Sequence, residues 1–240
     1  MVKNMSKPSN FFLYIGKPVK DEYGRQVGKV ASFAVNPNGR VNAVFVEHGD
    51  GEFLRYPSEQ FNVDGEDITL SPSIKIRVKS LCDEIPLIWR KDQALSELVD
   101  KKKVPSEMFN ELHKNFEGAL NQLKTEAQTN IDNIDKQISK CNSQVRELNS
   151  ALIHLEIERE IGRIDEGAYN TALEMIKDGL KQTNNEKNDL ESMKNQLSNL
   201  LLGDTHSTLG KDTLTTSTAS SVLPEPPVVV HVKSATKTGY

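Results

Sequence analysis

The sequence predicts an α+β protein built in parts: a small N-terminal β-barrel, a long antiparallel α-helical coiled-coil hairpin and a disordered C-terminal tail. Three features predict it. Residues 11–91 alternate short apolar runs with turns rich in Gly, Pro and Asn, the texture of a small barrel or sandwich. Across residues 92–202 apolar positions step by three and four, and no proline falls between Pro105 and Gly203. From Gly203 to Tyr240, 13 of 38 residues are Ser or Thr. Only 36% of the 240 residues are hydrophobic and 27% are charged. That falls below the roughly 45–50% apolar content of ordinary domains and argues against a large enzyme core.

The first ten residues lack the apolar core of a signal peptide and are expected to be flexible. Phe11 to Ile15 is apolar and strand-like. Asp21-Glu22-Tyr23-Gly24 turns the chain into a strand from Val27 to Val35. Asn36-Pro37-Asn38-Gly39 is a strong turn, because Pro presets φ and Asn-Gly tolerates φ > 0. Val41 to Val46 and Phe53 to Tyr56 follow as strands, separated by His48-Gly49-Asp50-Gly51. Val63 and Ile68 to Leu70 flank Asp64-Gly65. Ile74, Ile76 and Val78 alternate with Lys75, Arg77 and Lys79, the period-2 pattern of a half-buried strand.

In the helical region a heptad seam runs through Ile131, Ile134, Ile138, Cys141, Val145, Leu148, Leu152 and Leu155. It extends backwards, less regularly, through Phe109, Leu112, Phe116, Ala119, Leu123 and Ala127. A second seam runs Tyr169, Leu173, Ile176, Leu180, the polar Thr183 and Lys187, Leu190, Lys194, Leu197 and Leu201. Between them Gly162 suits a left-handed C-cap and Asp165 an N-cap, which sets a turn near 161–165. The first helix, from about Ser106 to Ile161, spans roughly 80 Å and the second, to Leu202, roughly 55 Å. No intrachain helix is then left to cover Phe109, Leu112 and Phe116. Another subunit or the barrel is expected to bury that stripe, which makes Phe109, Leu112, Phe116, Ile131, Ile134, Ile138, Val145, Leu148 and Leu152 a candidate self-assembly seam.

Residues 203–221 read as a flexible linker with a root-mean-square reach of roughly 20–25 Å. Residues 222–240 hold an apolar island: Leu223, Pro224, Pro226, Pro227, Val228, Val229, Val230 and Val232. Prolines stiffen it and valines favour an extended strand, the makings of a peptide that adds to a partner's sheet edge.

Charge and motifs exclude several functions. Thirty basic and 34 acidic groups give −4, with 14 basic and 19 acidic in residues 93–202, a poor match to phosphate backbones. One basic cluster, Lys101, Lys102 and Lys103, is a candidate contact for an anionic surface, lipid or DNA. No two of His48, His113, His154, His206 and His231 have metal-ligand spacing, and Cys82 and Cys141 have no near partner. Gly24, Gly28 and Gly39 do not form a phosphate loop, and no nucleophile motif is present. The expectation is a non-enzymatic cytoplasmic protein without cofactor, metal or membrane span.

The stretch from Ile15 to Val30 carries Gly16-Lys17-Pro18-Val19, Asp21-Glu22-Tyr23-Gly24 and Gly28-Lys29-Val30. With Tyr56-Pro57-Ser58-Glu59 and Asp67-Ile68-Thr69-Leu70 it resembles a PRC-barrel domain. A PRC-barrel followed by a long coiled coil, a Ser/Thr linker and a Pro-Val peptide is similar to the archaeal CdvA family. That resemblance implies a cell-division scaffold at mid-cell. Such a scaffold self-assembles, associates peripherally with membrane, has DNA as a further partner that the charge of this chain supports only weakly, and recruits an ESCRT-III-like CdvB homologue through the 223–232 segment. The competing expectation is a PRC-barrel adaptor for nucleic acid or ribosome and RNA-maturation machinery, against which the acidic coil argues.

Overall fold

The computed structural model describes residues 11–203. Six strands come first: β1 (Pro18–Asp21), β2 (Gln26–Val35), β3 (Val41–Glu47), β4 (Phe53–Pro57), β5 (Phe61–Asp64) and β6 (Asp67–Leu70). Three helices follow: α1 (Ser73–Asp100), α2 (Ser106–Glu160) and α3 (Glu166–Gly203). The expected linker and docking peptide, beyond Gly203, lie outside the described residues, as do residues 1–10.

The strands form one sheet in the order β4-β3-β2-β1-β6-β5, antiparallel throughout except for the parallel β1–β6 pair. The expected barrel is not closed, because β4 and β5 are edges that do not pair. A short 3-10 turn, Ser58–Gln60, links them. Four Cα steps separate Pro57 from Phe61, at most about 15 Å, so the sheet curls until its edges approach. Register shifts between Val30 and Ser32 and between Ala34 and Val35 supply bends in β2. Pro57 ends β4 without an N–H to offer a further ladder. Inside the curl Val19, Val30, Phe33, Val44, Val46, Phe61 and Ile68 are buried.

Two sequence expectations are corrected. Phe11 to Ile15 is not a strand; Phe11–Tyr14 is a 3-10 turn that buries Phe11 against Phe33 and leaves Phe12 and Leu13 outside. The segment Ile74 to Val78 is not a strand either. It opens α1, which begins at Ser73 rather than near residue 92. Five residues fit either period, but the longer run Ile74, Val78, Leu81, Ile85 steps by four, three and four. Val78, Leu81 and Ile85 are buried while Ile76 faces out. Pro86 stands inside this helix without ending it.

α1 supplies the helix that the sequence reading lacked. It lies along the N-terminal part of α2, with Arg77 paired to Glu126 and Asp92 bonded to Nδ1 of His113 at 2.6 Å. α3 lies along the C-terminal part. Tyr169 Oη donates to Glu156 at 2.8 Å, and Lys194 Nζ donates to Asp135 at 2.6 Å, so numbers fall along α2 as they rise along α3. Val78, Leu81 and Ile85 of α1 join Ala127, Ile131 and Ile134 of α2 and Met193 and Leu197 of α3 in one core.

Gly28 marks a close backbone approach in the sheet. A Cβ there would sit 2.1 Å from the carbonyl oxygen of Glu47 and 2.9 Å from Val46 Cγ1. Gly28→Ala is expected to destabilise the chain by about 1–3 kcal/mol or more. By contrast Gly118→Ala, on an open helical face, is expected to stabilise by up to about 1 kcal/mol. Thermal melts of the two variants should move in opposite directions.

Candidate assembly surfaces

Each predicted seam residue is placed by what covers it. Ile131 (7% exposed) and Ile134 (0%) are buried within one chain by α1 and α3. Ile138, Val145, Leu148 and Leu152 are half-buried along α3. Phe109 and Phe116 are half-buried and Leu112 is 37% exposed. Phe109 stacks on the His113 ring at 5.3 Å. On the second seam Tyr169, Thr183, Leu190 and Leu197 are buried, and Met193, which the seam did not include, joins them.

Both helix connections use the same turn. At the α1 end Lys103 N–H donates to Leu98 O (2.9 Å) and Lys102 N–H to Val99 O (2.8 Å). At the α2 end Arg163 N–H donates to Glu158 O (2.9 Å) and Gly162 N–H to Arg159 O (2.9 Å). These are paired bonds that close a helix on a left-handed residue. That residue is Gly162 at φ +69° in one turn and Lys102 at φ +51° in the other. Asp165 then caps α3, its Oδ1 accepting from Ala168 N–H at 2.9 Å. Lys101, Lys102 and Lys103 are all exposed; Lys101 reaches Glu97 at 3.4 Å.

Beside the seams, α2 and its C-cap residue carry a second apolar ridge, Ile153, Ile157 and Ile161. With Leu152, Glu156 and Glu160 it lines a shallow groove of about 450 Å³. Across the seam the Arg159 guanidinium lies 4.1 Å over the Tyr169 ring, a cation–π contact that closes that end.

A polar clamp holds the sheet to the helices. Asp21 Oδ1 accepts the N–H groups of Tyr23 (2.9 Å) and Arg25 (2.8 Å), shaping the β1–β2 turn. Arg25 then bridges Asp21 and Glu186 of α3, both at 2.6 Å. Tyr23 Oη donates to Asp189 at 3.3 Å. Burial and the Asp189 and Glu186 charges push the Tyr23 phenol pKa far up, so it stays a donor. Glu22 accepts from Ser71 and from Lys75 of α1. A cleft of about 470 Å³ opens beside this clamp, lined by Glu22, Ser71, Lys75, Cys82, Asp189 and Met193 among others. Burial pushes the Cys82 thiol pKa up, away from the reactive thiolate. No group of three His, Cys, Asp or Glu able to hold a metal occurs among the described residues, and no helix among them is long and apolar enough to cross a membrane. The clamp escaped sequence reading because Arg25 and Glu186 are 161 positions apart. The docking segment from Leu223 to Val232 lies outside the described residues.

The comparisons with known proteins fall on the helices. A family model described as the CdvA-like coiled-coil domain matches residues 75–220, starting just inside α1. Cell division protein A of Sulfolobus acidocaldarius is 22% identical over 187 residues, 78% of each chain.

Two outcomes follow from the packing. The Thr183 hydroxyl is fully buried without a hydrogen-bond partner. Thr183→Val keeps its shape and is expected to stabilise the coil by about 1–2 kcal/mol in urea titration. His113 is raised above its ordinary value by its bond to Asp92 and by that carboxylate's charge. Its contribution is therefore complete below about pH 6.5 and lost as pH rises through the raised folded value. Hydrogen exchange across Asp92 to Phe116 should speed up over that rise, and His113→Gln should abolish the pH step.

Proposed function

The chain belongs to the CdvA-like coiled-coil family, and from that premise we propose that it is a non-enzymatic scaffold of cell division. It gathers into homo-oligomers or filaments through its helices, sits at the division site peripherally on membrane, and recruits an ESCRT-III-like CdvB homologue through residues 222–240. The helices form an antiparallel coiled-coil hairpin with α1 as an added third member, and the curled sheet acts as a PRC-barrel-like module that orients the chain on a neighbour or surface.

The family match over the helices carries this reading. The relative's printed name assigns it to cell division. Apolar residues left uncovered on those same helices, Ile153, Ile157, Ile161, Met108 and Leu112, support self-assembly, since a single chain leaves them in water. The Pro-Val segment supports recruitment by strand addition, in which backbone hydrogen bonds give affinity and alternate side chains give specificity. Many copies in one assembly raise the partner's local concentration without any new contact.

Deletion of Val222 to Tyr240 is expected to abolish capture of the ESCRT-III-like partner in pull-down while sedimentation still shows oligomers. Capture by the truncated chain would reject the recruitment role.

A further inference from the structure

We propose that the helices join copies head to tail: the α2–α3 turn of one copy docks on the α1–α2 turn of the next. The inference rests on the self-assembly proposed above and names the surface that performs it.

Both ends of α2 are helix pairs closed by the same turn, and both leave apolar side chains in water. At the α2–α3 end Ile153, Ile157 and Ile161 are 61%, 49% and 58% exposed. Their spacing of four makes a ridge about 12 Å long. It stands off the seam, where Leu148 and Leu152 already face α3, so α3 cannot cover it. At the other end Met108 and Leu112, also four apart, are 54% and 37% exposed, and Leu98, in the last turn of α1, is 38% exposed. Rows of i, i+4 side chains interdigitate between helices, and two helix pairs packed this way make a four-helix arrangement.

Charge decides which ends meet. From Glu156 to Glu166 there are five acids, Glu156, Glu158, Glu160, Asp165 and Glu166, against Arg159 and Arg163. Glu160 has no cationic partner among the described residues. At the opposite end, from Glu97 to Glu107, Glu97, Asp100 and Glu107 balance Lys101, Lys102 and Lys103, and Lys102 and Lys103 have no carboxylate partner among the described residues. Lys102 also occupies the left-handed position that glycine fills in the matching turn. A side chain there costs about 1–2 kcal/mol, so the lysine is carried against the backbone's preference. Two α2–α3 ends brought together would set acid on acid, whereas the α1–α2 end is neutral overall and offers the two lysines at its tip. Unlike ends set lysine on acid, so the occupant is the opposite end of a second copy. Such a heterologous contact either closes into a ring or extends into a filament, and with the two turns at opposite ends of the 55-residue α2 it extends.

The test uses the full chain in sedimentation velocity, with helicity checked by circular dichroism. Ile153→Glu with Ile157→Glu breaks one end; Met108→Glu with Leu112→Glu breaks the other. Ile153, Met108 and Ile157 are about half exposed or more; Leu112, at 37%, is the most covered, and circular dichroism decides whether its variant keeps the fold. Each double variant alone is expected to remain single where the wild type assembles. An equimolar mixture is expected to form one-to-one dimers, because each variant keeps the face the other lacks. Assembly of either variant alone, or a mixture that stays single, overturns the junction while leaving self-assembly standing. A wild type that stays single at every concentration overturns both.

Discussion

The structure depends on one mismatch of lengths. α2 has 55 residues, α1 has 28 and α3 has 38, so neither partner covers α2 alone. α1 takes one stretch and α3 the other, and the two overlap only where Ala127, Ile131 and Ile134 are buried on both sides. Ile134 is fully enclosed, and truncating such a side chain costs about 2–5 kcal/mol. That short three-helix segment fixes how far each end of α2 projects as a two-helix pair. The pairs are thinner, so their outer faces keep apolar residues in water. A longer α1 or α3 would have buried those residues.

The sheet is placed differently, by charge. Its β1–β2 turn touches α3 through Arg25 and Tyr23 and reaches the start of α1 through Glu22. The Arg25, Asp21 and Glu186 side chains are 30%, 16% and 24% exposed, enough burial to shield their hydrogen bonds from full competition with water. An apolar contact would have tolerated sliding along α3; donor and acceptor geometry sets one register. Since α1 and α3 both take part, the clamp also pins those two helices at the place where they overlap.

How much of this could be read beforehand follows the range of each signal. Local signals were legible. The turns at Gly24, Gly39 and Gly162 have the left-handed φ that glycine permits. Asp165 caps α3. The second seam ran correctly through polar Thr183 to Leu190 and Leu197, because heptad spacing survives one polar member. Short windows failed. Ile74 to Val78 contains both a period of two and the first steps of a helical period, and only the buried partners Leu81 and Ile85 decide between them. That single misreading removed α1 and left Phe109 and Phe116 without a cover that the chain in fact partly supplies. Closure of the barrel was illegible because it depends on whether two edge strands pair, which no local pattern specifies. Pairings such as Arg77 with Glu126 or Arg25 with Glu186 bring together residues far apart in sequence and leave no trace in composition.

The size of the exposed ridges limits what any junction built on them can do. Five or six partly exposed side chains over about two helical turns fall well short of the roughly 1,600 Å² of a standard stable interface. A contact that small is weak and reversible taken singly. The lysine and glutamate ends add direction more than strength, since exposed ion pairs contribute about 0–1 kcal/mol and are screened beyond roughly 8–10 Å at physiological salt. In the proposed filament apolar area would therefore set how firmly copies hold, and charge which way they point. Junctions that weak would form where copies are crowded and part when they disperse. In the proposed filament the net −5 of residues 93–202 would work in the same sense, because helical regions of like charge repel sideways. Growth would then be lengthwise, and lateral bundling would need a further component that supplies positive charge or a shared surface.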